Sequence, residues 1–306
     1  MEKILVTPRS LSNNGHPALE NLREAGYEVV FAAPGKQPTE EELKAILPEC
    51  CGYLAGVEPV GGDLLRSCAK LKVISRNGVG VDNVDLDAAG EMGISVEKAA
   101  GTNSRGVAEL AITLMLSGVR SVPFSSGQIK AGGWERRKGF EVEGRTLGLI
   151  GCGQIGKYTT KMALGLDMKV LAYDLYPDES FNPSPDFRYA SVEEIFASAD
   201  IISLHCPPSD KPLIDSAGLS SMKDGVLLVN TARSGLIDED AVLDALGSGK
   251  LFGYATDVFP KEPPEMSALI AHERVITTPH IGGFTVESVD RATQTAVDNI
   301  LRVLNG

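Results

Sequence analysis

The stretch Leu147-Gly148-Leu149-Ile150-Gly151-Cys152-Gly153-Gln154-Ile155-Gly156 decides how the rest of the chain is read. Four residues patterned as a buried strand run straight into G-x-G-x-x-G, and a helical segment follows from Lys157. In that context the three glycines differ in purpose. The first permits the tight turn, the second brings bare backbone against a pyrophosphate, and the third lets helix and strand pack closely. The free N–H groups at the helix amino terminus then face the phosphates. A glycine turn alone is a weak sign in a chain with 33 glycines. Here, however, a second apolar run, Val170-Leu171-Ala172-Tyr173, ends in Asp174, at the offset of about 20 residues expected of the carboxylate that holds an adenosine ribose 2′-hydroxyl. Leu175, Tyr176 and Pro177 follow, so no arginine is ready for a 2′-phosphate, which the carboxylate would repel. The expected cofactor is NAD.

Working outward, strand patterns recur at 146–150, 169–173, 201–205, 226–230, 253–257 and 275–278, separated by amphipathic segments. A similar alternation fills the first 100 residues, with strand-like runs at 4–6, 27–32, 52–55, 72–75 and 94–97. A periodic run at 107–119, preceded by the cap-type pair Asn103-Ser104, leads from one series to the next, and a strongly periodic helix is predicted over 286–304. Alternating strands and helices mean parallel sheets covered on both faces. The fold class is therefore α/β, with two doubly wound parallel-sheet domains: a Rossmann nucleotide-binding domain, 102–283, inserted into a flavodoxin-like substrate-binding domain, 1–101 and 284–306.

The bulk numbers agree with that picture. A chain of 306 residues exceeds what one core usually organises, and 43% hydrophobic with 23% charged residues is the balance of a globular protein. A net charge of -12 argues against nucleic acid or an anionic membrane as partner, leaving a small molecule. The five cysteines fall at no disulfide or metal-ligand spacing, and no metal is expected. Met1-Glu2-Lys3 passes directly into strand without a leader-like apolar segment, so the expectation is a cytoplasmic protein.

Oxidation of a hydroxy acid needs a base for the hydroxyl proton, a cation for the carboxylate and a group that tunes the base. His280, Arg233 and Glu262 are the candidates, each just beyond a predicted strand of the nucleotide domain, where active sites of open α/β sheets gather. Singly, each has a bland reading as a surface charge or a structural imidazole.

The ordered set Arg76-Asn77-Gly78-Val79-Gly80-Val81-Asp82-Asn83-Val84-Asp85, Gly133-Trp134-Glu135-Arg136-Arg137-Lys138, the glycine motif, Asn230-Thr231-Ala232-Arg233, Asp257-Val258-Phe259 and Thr278-Pro279-His280-Ile281-Gly282 resembles the D-isomer-specific 2-hydroxyacid dehydrogenases, nearest the 3-phosphoglycerate dehydrogenase branch in a short form with no module after Gly306. The resemblance implies that Arg233 clamps the substrate carboxylate, that His280 exchanges the hydroxyl proton, and that Glu262 holds and tunes the imidazole. It implies further cofactor contacts from Gln154, Ile155, His205, Cys206, Pro207, Thr231, Ala232, Gly282 and Gly283, with Asp257 on the nicotinamide carboxamide. Arg76, Asn77, Gly78, Val79, Gly80 and Asn103 are the implied substrate contacts, and Arg76 and Lys138 the cations for a distal phosphate. The substrate is then 3-phosphoglycerate, with hydroxypyruvate or glyoxylate as the alternative, and a non-catalytic NAD(H)-sensing protein as a reading from another class. A homodimer through the nucleotide domains, with 107–145 contributing, is the implied assembly.

Overall fold

The computed structural model describes residues 1–208 and 210–306. It divides into two compact units, one of Met1–Asn103 with Gly283–Gly306, the other of Ser104–Gly282. Each unit is built on one parallel sheet, as the alternating pattern requires.

The first unit carries β1 (Lys3–Val6), β2 (Glu28–Phe31), β3 (Cys50–Ala55), β4 (Val73–Arg76) and β5 (Ser95–Lys98) in the order β2-β1-β3-β4-β5, which is the flavodoxin-like order. Every residue of β3 is buried, as expected of a central parallel strand covered on both faces. One cover is the terminal helix Val286–Asn305, whose Ala296, Val297 and Ile300 pack with Ile4, Val6 and Leu54. Burying side chains of Val or Ile size is worth about 1.5–3 kcal/mol each, and it explains why a mostly polar helix returns to this sheet. Gly52 lets it lie close: a Cβ there would stand 3.2 Å from Ile4 and 3.4 Å from Ile300.

The second unit carries β6 (Thr146–Ile150), β7 (Lys169–Tyr173), β8 (Phe187–Tyr189), β9 (Ile201–Leu204), β10 (Val226–Asn230), β11 (Leu251–Thr256) and β12 (Val275–Thr277) in the order β12-β11-β10-β9-β6-β7-β8. This is the dinucleotide-binding order with one strand added beyond β11. β8 is an addition to the sequence reading. It has three residues and forms the sheet edge, where Phe187 is fixed by edge-to-face contacts with Phe181 and Tyr189. The helix Ser104–Val119 begins three residues before the periodic run and packs on β10 and β11. The helix Val122–Lys130, also absent from the sequence reading, buries none of its residues.

Helix starts follow local chemistry. Thr39 and Glu42 form a capping box, while Asp85, Ser191, Asp215, Asp238 and Thr285 each accept a backbone N–H from their own first turn. Among the described residues no single helix is long and apolar enough to cross a membrane, and no group of His, Cys, Asp or Glu is placed to hold a metal ion.

Candidate functional site

In the second unit the loops that leave the carboxyl ends of adjacent strands carry the chemistry. β6 ends in the glycine turn, β7 in Asp174 and β9 in His205, while β10, β11 and β12 lead to Arg233, Glu262 and His280.

The glycine turn can be tested for fit to a dinucleotide from its own geometry. Gly151 has φ +99°, and a Cβ on it would lie 2.6 Å from the His205 carbonyl. A Cβ on Gly156 would lie 2.3 Å from the Gly151 oxygen, whereas nothing stands within 4 Å of one on Gly153. The turn is thus sterically closed where helix meets strand and open where a pyrophosphate would approach. Gly153 caps the helix Gln154–Leu164, with Gln154 exposed and Ile155 half-buried at its start. Asp174 is anchored, its Oδ2 accepting the Cys152 N–H at 2.7 Å and its Oδ1 the Tyr176 N–H at 2.9 Å. Two carboxylate oxygens offer about four acceptor positions, so capacity for ribose hydroxyls is left.

Two buried polar atoms have no partner among the described residues and lie at the ends of β9 and β10: His205 Nδ1 and Thr231 Oγ1. Buried polar groups are nearly always satisfied, and a bound ligand is one way of satisfying these. His205 Nε2 pairs with Ser203 at 2.9 Å, and burial pushes the imidazole pKa down to about 4, so the ring is neutral at physiological pH. Cys206 and Ala232 are half-buried and Pro207 is exposed. The residues present fit a bound NAD.

The candidate catalytic groups come together. His280 Nδ1 lies 2.7 Å from Glu262 Oε2, and Glu262 Oε1 accepts the Phe259 N–H at 3.2 Å. The hydrogen bond to Glu262 raises the His280 pKa above its ordinary 6.5, against the opposing pull of burial and the Arg233 charge. Burial works to raise Glu262, and is outweighed by the His280 hydrogen bond and charge, the Phe259 N–H and Arg233, which leave it lowered. Arg233 therefore acts electrostatically on both partners. Its own turn is set by Asn230, which is fully buried, accepts the Ala232 N–H at 3.0 Å and donates to the Arg233 carbonyl at 2.9 Å. In the sequence Asn230 stands out only as part of a motif; the signal of its role is an Asx-type turn residue placed three before the arginine.

His280 itself has φ +53°, a left-handed conformation uncommon for a residue other than glycine and typical of sites where structure over-determines the backbone. Asp257 supplies that determination. It is 1% exposed, and accepts the Thr278 hydroxyl at 2.6 Å, the Ile281 N–H at 2.8 Å and the Gly282 N–H at 2.8 Å. Three of its about four acceptor positions are thus spent on the loop that carries His280, and one is left for a ligand such as the nicotinamide carboxamide.

In the first unit, Arg76 is 6% exposed and donates to the Ala55 carbonyl at 3.0 Å and the Gly80 carbonyl at 2.9 Å, which braces the loop after β4. Asn77, Gly78, Val79 and Gly80 are half-buried, and the N–H groups of 78–80 have no acceptor among the described residues. Consecutive unpaired N–H groups are suited to an anion. Asn103 belongs to this unit and lies beside Gly283, where a Cβ would be 3.0 Å from its Nδ2. Lys138, in the other unit, is exposed.

A conservative test of the imidazole–carboxylate pair follows from the signs. Glu262→Gln is expected to move the His280 titration to lower pH, so the rate of 2-oxo acid reduction, which uses protonated imidazole, falls off at lower pH than in the parent; a pH–rate profile of kcat/KM checks this. The same change removes a stability contribution present between the lowered Glu262 pKa and the raised His280 pKa. That contribution is lost as pH rises through the latter or falls through the former.

Comparison with known proteins agrees with this architecture. Residues 112–282 match the family described as D-isomer specific 2-hydroxyacid dehydrogenase, NAD binding domain. Hydroxypyruvate reductase of Thermotoga maritima is 38% identical over 273 residues, covering 87% of this chain and 88% of its own. D-3-phosphoglycerate dehydrogenase of Methanocaldococcus jannaschii is 37% identical over 311 residues, covering 100% of this chain and 58% of its own, so this chain spans little more than half of that relative. The crystal structure of TT0316 protein from Thermus thermophilus superposes with a TM-score of 0.89 at 34% identity, covering 99% of this chain and 97% of that one. Two differently named enzymes match at nearly equal identity, which identifies the family without selecting a branch. The chain belongs to the D-isomer-specific 2-hydroxyacid dehydrogenases and is an NAD-dependent oxidoreductase acting on a D-2-hydroxy acid.

Proposed function

We propose that His280, Glu262 and Arg233 are the proton-transfer and carboxylate-binding groups of this dehydrogenase, with 3-phosphoglycerate as its substrate. The observation that supports the catalytic part is the 2.7 Å contact between His280 and Glu262 within the field of Arg233, at the ends of adjacent strands. When bound, the nicotinamide supplies or accepts the hydride at C2 of the acid. Arg233 offers its guanidinium fork to the carboxylate and C2 oxygen, matching a 2-oxo acid in plane and charge. With Nδ1 occupied by Glu262, His280 exchanges the hydroxyl proton through Nε2. It gives that proton up during reduction and takes it during oxidation. Glu262 fixes the ring and keeps the charged form available near neutral pH.

The choice of 3-phosphoglycerate rests on the resemblance and on relatives of that name. A second reading, hydroxypyruvate or glyoxylate, is favoured by the position of Arg76, whose guanidinium is buried on backbone carbonyls where a phosphorylated substrate needs an available cation. Steady-state kinetics on 3-phosphoglycerate, glycerate, hydroxypyruvate and glyoxylate separates the two. The first reading expects kcat/KM for 3-phosphoglycerate to exceed that for glycerate by at least about tenfold, the effect of a charge-assisted contact; equal values, or a preference for the unphosphorylated acids, abandon it.

A further inference from the structure

The loop after β7 contains a second carboxylate whose partner is a cation of the glycine-motif helix. Lys157 Nζ lies 2.5 Å from Asp178 Oδ2. Lys157 is the residue directly after Gly156, and Asp178 lies four residues beyond Asp174. Throughout 151–160 and 170–187, Lys157 is the only lysine or arginine. The Asp174 and Lys157 charges both reach the Cys152 thiol, so the cation stands in the same neighbourhood as the carboxylate at the ribose end of the nucleotide site.

This pair is better organised than an ordinary surface ion pair. The other oxygen of Asp178, Oδ1, accepts the Ser180 N–H at 3.1 Å and the Ser180 hydroxyl at 2.5 Å, which turns Oδ2 toward Lys157. The Asp178 backbone is tied to the Tyr189 hydroxyl at 3.2 Å, on edge strand β8. The lysine ammonium lies 5.4 Å from the centre of the Phe181 ring, which restricts its stem from a third side. Hydrogen bonds from Lys157 and Ser180 hold the Asp178 carboxyl at about 2, so it is charged throughout the working pH range.

We propose that Asp178 is a second determinant of cofactor choice: by holding Lys157 it withholds a cation of the glycine-motif helix able to receive a 2′-phosphate, so NADP is refused by a captured lysine as well as by the Asp174 carboxylate. The inference rests on the assignment of Asp174 to the adenosine ribose. A phosphate dianion entering beside Asp174 meets one carboxylate by repulsion and finds the compensating cation already neutralised. Removing Asp174 alone then leaves a site that neither binds the ribose hydroxyls nor attracts a phosphate. Removing both carboxylates exposes the ammonium.

The test is calorimetric binding of 5′-AMP and of adenosine 2′,5′-bisphosphate to the full chain, with the NADPH-to-NADH ratio of kcat/KM as a second readout. Asp174→Ala is expected to weaken 5′-AMP binding, and to leave the bisphosphate weak. Adding Asp178→Asn, a near-isosteric change, is expected to tighten the bisphosphate by at least about tenfold relative to Asp174→Ala, with 5′-AMP affinity, which also reports an intact site, unchanged. Adding Lys157→Gln to that pair is expected to abolish the gain. Bisphosphate affinities within twofold in the single and double variants, or a gain that survives Lys157→Gln, overturn the role of Asp178. Unchanged 5′-AMP binding in Asp174→Ala overturns instead the ribose assignment beneath it.

Discussion

His280→Asn is expected to lower kcat for reduction of the 2-oxo acid by about 10²–10⁴-fold while NADH binds as before. The choice of asparagine follows from the backbone. At φ +53° most side chains would add a conformational cost, and a loss of activity would then mix strain with lost chemistry. Asparagine tolerates the left-handed region and retains polar atoms, yet it has no group that can deliver a proton near neutral pH. Because Asp257 still holds the Thr278 hydroxyl and the Ile281 and Gly282 N–H groups, the loop keeps its shape. Two measurements decide the matter: kcat from NADH absorbance under saturating substrate, and the NADH dissociation constant from fluorescence titration. A kcat within about threefold of the parent would remove His280 from the chemistry, since general acid catalysis contributes far more than that.

The same loop shows where reading a sequence succeeds and where it stops. The strand before Gly151, the glycine spacing and Asp174 were legible because each depends on residues close in the chain: a buried run, a turn and a helix start. His280, Arg233 and Glu262 were legible as candidates because each follows a strand pattern. What could not be read is which charges point where. Asp257 and Glu262 are both acids shortly after β11, yet one is sealed beneath the His280 loop by partners more than 20 residues away, while the other remains 39% exposed beside the imidazole. Arg76 is similar, since only the fold brings the Ala55 carbonyl under its guanidinium. The short edge strand Phe187–Tyr189 was missed because three residues carry no periodicity, and its place is fixed by ring contacts with Phe181.

Arg233→Gln is expected to reduce kcat/KM for the acid by about 10²–10³-fold, and Arg233→Lys to recover about tenfold of that loss. The two substitutions separate charge from shape. Lysine keeps a positive charge but presents it as a point, without the planar pair of donors that spans a carboxylate and an adjacent carbonyl oxygen. It also cannot reproduce the fixed bearing of the guanidinium, whose Nη1 donates to the Ala232 carbonyl at 2.8 Å while Asn230 locks the turn beneath it. The electrostatic consequence provides an independent reading. The Arg233 charge lowers the pKa of both His280 and Glu262, so its removal in Arg233→Gln lets the imidazole titrate at higher pH, and the falling limb of the reduction profile moves alkaline. Arg233→Lys, with the charge retained, is expected to leave that limb near its parental position despite the lower rate. If both variants shift the limb equally, the arginine acts on the imidazole by arranging the loop and not by its charge. If neither lowers kcat/KM by more than a few-fold, the substrate carboxylate is held by groups other than Arg233.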